Sequence, residues 1–269
     1  MGSPEIPLPF DFPSNTLAGK VALLAGGTGG LGAAVAFLMA REGASLVLGY
    51  RSNRTRAEAL QKALAPLGAQ IELVQGDLAT SGVPEEYIRR AAALGPLSAV
   101  AIFTGDPVRP ASGEAESAAQ ESERMDTSWK ANFAGPYHLA RLAARRMAEQ
   151  RTPGSIVLVS TMQAVATFAQ SAVYSSPKAA LTHAARVLAH EFGGQANVCV
   201  NVVAPGVTTA GMAAASVASG KYERFLRDGI IPRYGRAEDV ARVVRLLLEP
   251  DGYITGQVIT VDGGLTLRR

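Results

Sequence analysis

Lys20-Val21-Ala22-Leu23-Leu24-Ala25-Gly26-Gly27-Thr28-Gly29-Gly30-Leu31-Gly32 carries the strongest structural signal in the chain. An apolar run of strand length ends in a glycine cluster. Leu31, Val35, Leu38 and Met39 then recur at helical spacing. A strand that turns through glycines into a helix is the context a dinucleotide-binding loop requires. Missing side chains let the backbone approach a pyrophosphate, and the helix N-terminus favours its charge. Thr28 and Leu31 share that loop. Three registers fit: Gly27, Gly29 and Gly32; Gly26, Gly30 and Gly32; or Gly26, Gly29 and Gly32. The spacing does not choose among them. No Gly-Lys-Ser/Thr follows, so this is not a P-loop.

Outward from this loop, strand-like and helix-like stretches alternate. Lys20–Ala25, Ser45–Gly49, Gln70–Gln75, Leu97–Phe103, Gly154–Ser160, Asn197–Val203 and Gln257–Val261 read as strands. Such alternation predicts βαβ units, and so an α/β fold: a Rossmann-type, doubly wound parallel sheet of about seven strands with helices on both faces. Ala57–Leu67 and Lys221–Arg227 read as helices. The first part of Asp106–Asp126 reads as a surface loop, and Thr208–Gly220 as a small-residue lid. Residues 17–269 are expected to form a single domain, after an N-terminal extension over 1–16.

The 269 residues are 48% hydrophobic and 18% charged, which fits a globular chain. A net charge of +3, without a basic stripe interleaved with aromatics, does not argue for nucleic acid. No apolar run reaches the ~18 residues of a membrane span. The start, Met1 to Asn15, lacks the basic and apolar segments of a signal peptide. Cys199 is the one cysteine and reads as a buried thiol; the expected setting is a reducing cytoplasm. His138, His183 and His190 lack metal-ligand spacing, so no metal site is expected.

Leu48-Gly49-Tyr50-Arg51-Ser52-Asn53-Arg54 closes the second strand. NAD sites place an acid there, about 20 residues past the loop, for the ribose hydroxyls. This stretch has none. Arg51 instead offers a planar fork to a 2′-phosphate, with Tyr50 and Ser52 beside it. The reading favours NADP. Further on, Tyr174 and Lys178 stand four apart, on one face of a helix. A lysine ammonium near a phenol would lower its pKa and make it a proton donor and acceptor near neutrality.

With these residues in hand, the chain resembles the short-chain dehydrogenase/reductase family over about Leu17 to Leu265, most closely its 3-oxoacyl-carrier-protein reductase-like members. The resemblance implies that Asn132, Thr161, Tyr174 and Lys178 form the catalytic set. It implies cofactor contacts at Gly26, Gly30 and Gly32, at Asp77 and Leu78 after the third strand, and at Gly105. It also implies them at Pro205, Gly206, Val207 and Thr209. Tyr253 to Gln257 and Val261 to Gly264 are similar to the family's ending. The implied chemistry is hydride transfer between NADP(H) and a ketone or secondary alcohol. Tyr174 protonates the oxygen, Thr161 orients it, Lys178 tunes the tyrosine, and Asn132 holds a relay water. A homotetramer is implied too. Gln163, Phe168 and Met212 would line the substrate side, with Thr161. Three features depart from the pattern: Ala25 opens the loop where the family often has threonine, Ile102-Phe103-Thr104 replaces the polar run before Gly105, and Thr161 replaces serine. The last two keep open a non-catalytic cofactor-binding scaffold, beside an NAD-linked alcohol dehydrogenase in which Tyr50 meets the ribose.

Overall fold

The computed structural model describes residues 15–109 and 117–268. Seven strands alternate with helices. β1 (Val21–Ala25), α1 (Gly30–Arg41), β2 (Ser45–Tyr50), α2 (Arg54–Leu64), β3 (Ile71–Gln75) and α3 (Val83–Leu94) make the first half. β4 (Leu97–Ile102), α4 (Ala118–Trp129), α5 (Gly135–Gln150), β5 (Gly154–Val159) and α6 (Ala172–Phe192) follow. β6 (Val198–Pro205), α7 (Ala214–Ala218), α8 (Glu223–Arg227), α9 (Ala237–Leu247), β7 (Val258–Val261) and α10 (Leu265–Arg268) complete the chain. Every expected strand is present, with ends shifted by no more than two residues.

The sheet order is β3-β2-β1-β4-β5-β6-β7, and every pair is parallel. The chain runs outward from β1 to β3, then returns to place β4 on the other side of β1. This reversal opens a crevice beyond the carboxyl ends of β1 and β4, where doubly wound sheets take their ligands.

Alternation along each strand divides the core in two. Val21, Leu23 and Ala25 of β1 face one layer with Leu139 and Ala143 of α5 and Leu181 of α6. Ala22 and Leu24 face the other, with Val35 and Met39 of α1 and Val240 and Val244 of α9. Strands covered on both sides are apolar at nearly every position, which is why they stand out as near-continuous hydrophobic runs.

The helical expectations shift slightly. α2 starts earlier than Ala57, because Asn53 Oδ1 accepts the Arg56 amide at 2.9 Å and caps the helix. It tightens to a 3₁₀ turn over Ala65–Leu67, since Pro66 has no N–H to continue the ladder. The small-residue segment after β6 is partly helical, through α7. Residues 110–116 of the expected loop lie outside the described residues, as does the extension except Asn15 and Thr16. Among the described residues no helix is long and apolar enough to cross a membrane, and no metal-binding cluster occurs.

Candidate active site

The glycine loop lies at the carboxyl end of β1. Gly26 takes a φ of +74°. A Cβ on Gly32 would stand 2.5 Å from the Gly26 carbonyl oxygen, and one on Gly27 2.7 Å from that of Leu24. Only glycine fits this folded-back turn. Thr28 is buried. The N-terminus of α1 meets no capping side chain, so its amides are available to an anion. A Cβ on Gly30 would stand 2.6 Å from the Gly211 amide nitrogen. The lid after β6 therefore rests on the loop. Thr104 Oγ1 is buried beyond β4 and finds no protein partner. A cradle closed to side chains, open helix amides and an orphaned hydroxyl fit a dinucleotide.

At the end of β2, the Arg51 side chain is exposed. Its Nη1 lies 3.3 Å from Asp106 Oδ2 and 3.9 Å from Asp77 Oδ2. The β2 segment has no acid, yet Asp106, fifty-five residues on, supplies one in space. Tyr50 Oη donates to Gln75 Oε1 at 3.5 Å. Ser52 is exposed beside them. Asp77 Oδ1 accepts the Ala79 amide. Leu78 is buried against the core and Gly135, so its side chain is unavailable to a ligand.

Tyr174 and Lys178 share α6, with the lysine fully buried. The Lys178 ammonium, expected near the Tyr174 phenol, hydrogen-bonds two backbone carbonyls. Lys178 Nζ donates to the Thr104 carbonyl at 3.1 Å and to the Val159 carbonyl at 3.0 Å. It ties α6 to the ends of β4 and β5. Burial pushes the Lys178 ammonium down to about 8. The Tyr174 phenol moves opposite to expectation, up to about 12: loss of water is the main cause and the Asp106 carboxylate the second, while a hydrogen bond with Thr161 pulls the other way. The Thr161 hydroxyl is thus a neighbour of the phenol.

Thr161 Oγ1 also accepts the Gln163 amide at 3.3 Å, fixing the hydroxyl at the start of a 3₁₀ turn. Ser160, its neighbour, faces away. Its Oγ donates to the Lys178 carbonyl and accepts from Thr182, a purely structural use. Asn132 is fully buried in a π-helical stretch, Lys130–Ala134, between α4 and α5. Pro136 explains the local rewinding, since it offers no N–H to the Asn132 carbonyl four residues back. The Asn132 side chain holds the Asp106 backbone from both sides, accepting its N–H at 3.0 Å and donating to its carbonyl at 2.7 Å. Gly105 sits between these groups. A Cβ there would lie 2.7 Å from Asn132 Oδ1 and 3.0 Å from Lys178 Nζ.

A model of the family described as enoyl-(acyl carrier protein) reductase matches residues 25–266. The chain is 32% identical to an uncharacterised oxidoreductase of Methylorubrum extorquens, over 93% of this chain and 98% of that one. It is 30% identical to a tropinone reductase homolog of Arabidopsis thaliana, over 94% of each. The structure of a short-chain type dehydrogenase/reductase from Mycobacterium ulcerans superposes with a TM-score of 0.83, at 28% identity, covering 94% of this chain and 92% of that one. The chain belongs to the short-chain dehydrogenase/reductase family. Its members act as oxidoreductases on CH–OH or carbonyl groups, using a nicotinamide cofactor.

Beyond the end of β6, Met162, Val207, Phe225 and Ile231 form a small core, with Phe168 packed against it. A cavity of about 470 Å3 is lined by Phe168, Arg224, Phe225 and Thr266. Gln163 lies half-buried beside Thr161. Met212 is exposed on the lid, where its carbonyl accepts from Arg109. Arg109 Nη2 also donates to Ser216 Oγ at 3.0 Å, which pins α7 to the segment after β4. Pro205 and Gly206 end β6 against Asp262, whose Cβ would meet a Cβ on Gly206 at 2.6 Å. The Thr209 amide donates to Gly235 O at 2.9 Å. Sequence reasoning missed Asp106, Ser128 and Arg109. Asp106 and Arg109 act through partners far away in the chain, and Ser128 through Val173 as well as through Asn132, four residues on; no motif marks them.

Proposed function

We propose that the protein is an NADP(H)-dependent carbonyl reductase, interconverting ketones and secondary alcohols. The meeting of Asn132 and Lys178 at Gly105, with Tyr174 one turn before Lys178 on α6 and its phenol paired with Thr161, carries this reading. A bound nicotinamide supplies or accepts the hydride. Tyr174, held protonated, donates its proton to the carbonyl oxygen as the carbon is reduced. Thr161 hydrogen-bonds the same oxygen and orients it. Lys178 brings positive charge to the nicotinamide end, anchored on two carbonyls. Gly26, Thr28, Gly29, Gly30, Leu31 and Gly32 hold the pyrophosphate, Asp77 flanks the adenosine side, and Gly105 lets the cofactor pass close to Lys178. Pro205, Gly206, Val207 and Thr209 lie on the nicotinamide side.

Arg51 supports the choice of NADP over NAD. Its partners Asp106 and Asp77 form exposed pairs, and exposed pairs are worth only ~0–1 kcal/mol. A 2′-phosphate, offering charge-assisted bonds to the same guanidinium, competes well against them. The apolar character of Phe168, Met162, Val207 and Phe225 suits a hydrophobic ketone, 3-oxoacyl-type substrates among them. The name of one relative, a tropinone reductase homolog, points to carbonyl reduction in that protein. The family resemblance favours assembly as a homotetramer, and Trp129, Tyr253 and Leu267 leave large apolar side chains exposed. The buried thiol of Cys199 suits a reducing cytoplasm.

The test is NADPH oxidation against a panel of cyclic ketones, 3-oxoacyl thioesters and 2-enoyl thioesters. Turnover on the keto compounds but not the enoyl ones is expected. Reduction of the conjugated double bond alone would move the protein to the chemistry of the enoyl description, and no turnover on any would favour the non-catalytic scaffold.

A further inference from the structure

Pro177 stands inside α6, between Tyr174 and Lys178. Proline has no N–H, so the Val173 carbonyl, four residues back, loses its helical partner. Ser128 of α4 takes its place. The Ser128 hydroxyl donates to the Val173 carbonyl at 2.6 Å, and it is fully buried. The same oxygen accepts a hydrogen bond from Asn132 Nδ2 at 3.0 Å. Asn132 in turn grips the Asp106 backbone at N–H and carbonyl. Two residues earlier, the Thr104 carbonyl accepts from Lys178. The bonds thus leave α6 at Val173, pass through Ser128, Asn132 and the segment after β4, and re-enter α6 at Lys178. Tyr174 lies on the stretch of helix that closes the circuit.

We propose that Ser128 is a positioning residue: it occupies the carbonyl that Pro177 vacates, and through that bond it holds Asn132 and the Gly105–Asp106 backbone in register with Tyr174 and Lys178. The role in turnover rests on the carbonyl-reductase reading; the hold on the backbone does not. Removing the hydroxyl has two separable effects. It strands the buried Val173 carbonyl, which costs stability. It also takes from Asn132 one of its two acceptors, which loosens the grip on Asp106.

Pro177→Ala separates them. In the Ser128→Ala/Pro177→Ala double variant, the backbone amide restored at position 177 returns a hydrogen bond to Val173 while Asn132 stays unheld. Two readouts follow: exchange of the Asp106 amide proton, by NMR, and kcat for ketone reduction. Ser128→Ala is expected to lower the thermal midpoint, to speed Asp106 exchange about tenfold and to lower kcat about tenfold, with KM and the NADPH Kd within about twofold. The double variant should regain the thermal midpoint while exchange stays fast and kcat low. Should Ser128→Ala not fold, the double variant carries the test alone. If exchange at Asp106 and kcat return to wild type together with stability, Ser128 only repairs the helix, and the proposal falls. Wild-type exchange in Ser128→Ala overturns it equally. A wild-type protein that turns over no ketone would defeat the carbonyl-reductase reading instead, and the exchange measurement would still decide on Ser128.

Discussion

Tyr174→Phe is expected to cut ketone reduction by about 10²–10⁴-fold, the usual worth of a positioned general acid, while the NADPH Kd stays within about twofold. The phenol is the group placed to give the carbonyl oxygen its proton. Desolvation, with the Asp106 carboxylate, pushes it up to about 12. It therefore remains protonated, and able to donate, throughout the neutral range. Phenylalanine keeps the ring and its packing and removes only the hydroxyl. Parallel measurement of single-turnover rate and of NADPH binding by fluorescence checks this. A variant that retains a tenth or more of the wild-type rate would remove Tyr174 from the acid role. So would a variant that loses NADPH binding in step with activity, because the defect would then be structural.

Gly105→Ala carries the second large effect. The added methyl would come 2.7 Å from Asn132 Oδ1 and 3.0 Å from Lys178 Nζ. Neither neighbour yields easily. Asn132 is fully buried and bonded to Asp106 and Ser128, and Lys178 is bonded to two carbonyls. Overpacking of this kind costs ~1–3 kcal/mol, or a fall of a few degrees in Tm for a chain this long. The loss of activity should exceed the loss of stability, since the two displaced side chains belong to the site. A fall of about 10²-fold in kcat is expected, because misplacement by about an ångström costs that much. Gly194→Ala is the control. Its Cβ meets nothing within 4 Å, and its backbone lies outside the left-handed region. Near-normal kcat in Gly105→Ala would mean that Asn132 and Lys178 need not be held where the structure puts them.

Much of this architecture is legible from the chain alone, for a physical reason. Strands buried on both faces are apolar at nearly every position, with Ser98, Ser155 and Asn201 the buried polar residues of β4, β5 and β6, so these strands and β1 announce themselves without alternation. The glycine loop is legible because a backbone folded back on itself excludes Cβ atoms, and only one residue type meets that demand. What sequence could not show is how long side chains choose among distant partners. The four-residue spacing places Tyr174 and Lys178 on one helix face, yet a lysine stem reaches past its neighbour to the open carbonyls of Thr104 and Val159. The Arg51 guanidinium finds Asp106 across the loop that follows β1, since β2 and β4 flank β1 in the sheet. Proline at 177 is visible in the sequence. Its consequence, a carbonyl handed to Ser128, depends on where α4 packs.

The central claim is a nicotinamide site that reads a 2′-phosphate. Its most direct test is a fluorescence titration of the wild-type protein with NADPH and, in parallel, NADH. NADPH is expected to bind in the micromolar range and NADH at least tenfold more weakly, a gap of about 1.4 kcal/mol. NADH binding as tight as NADPH, or tighter, would contradict it.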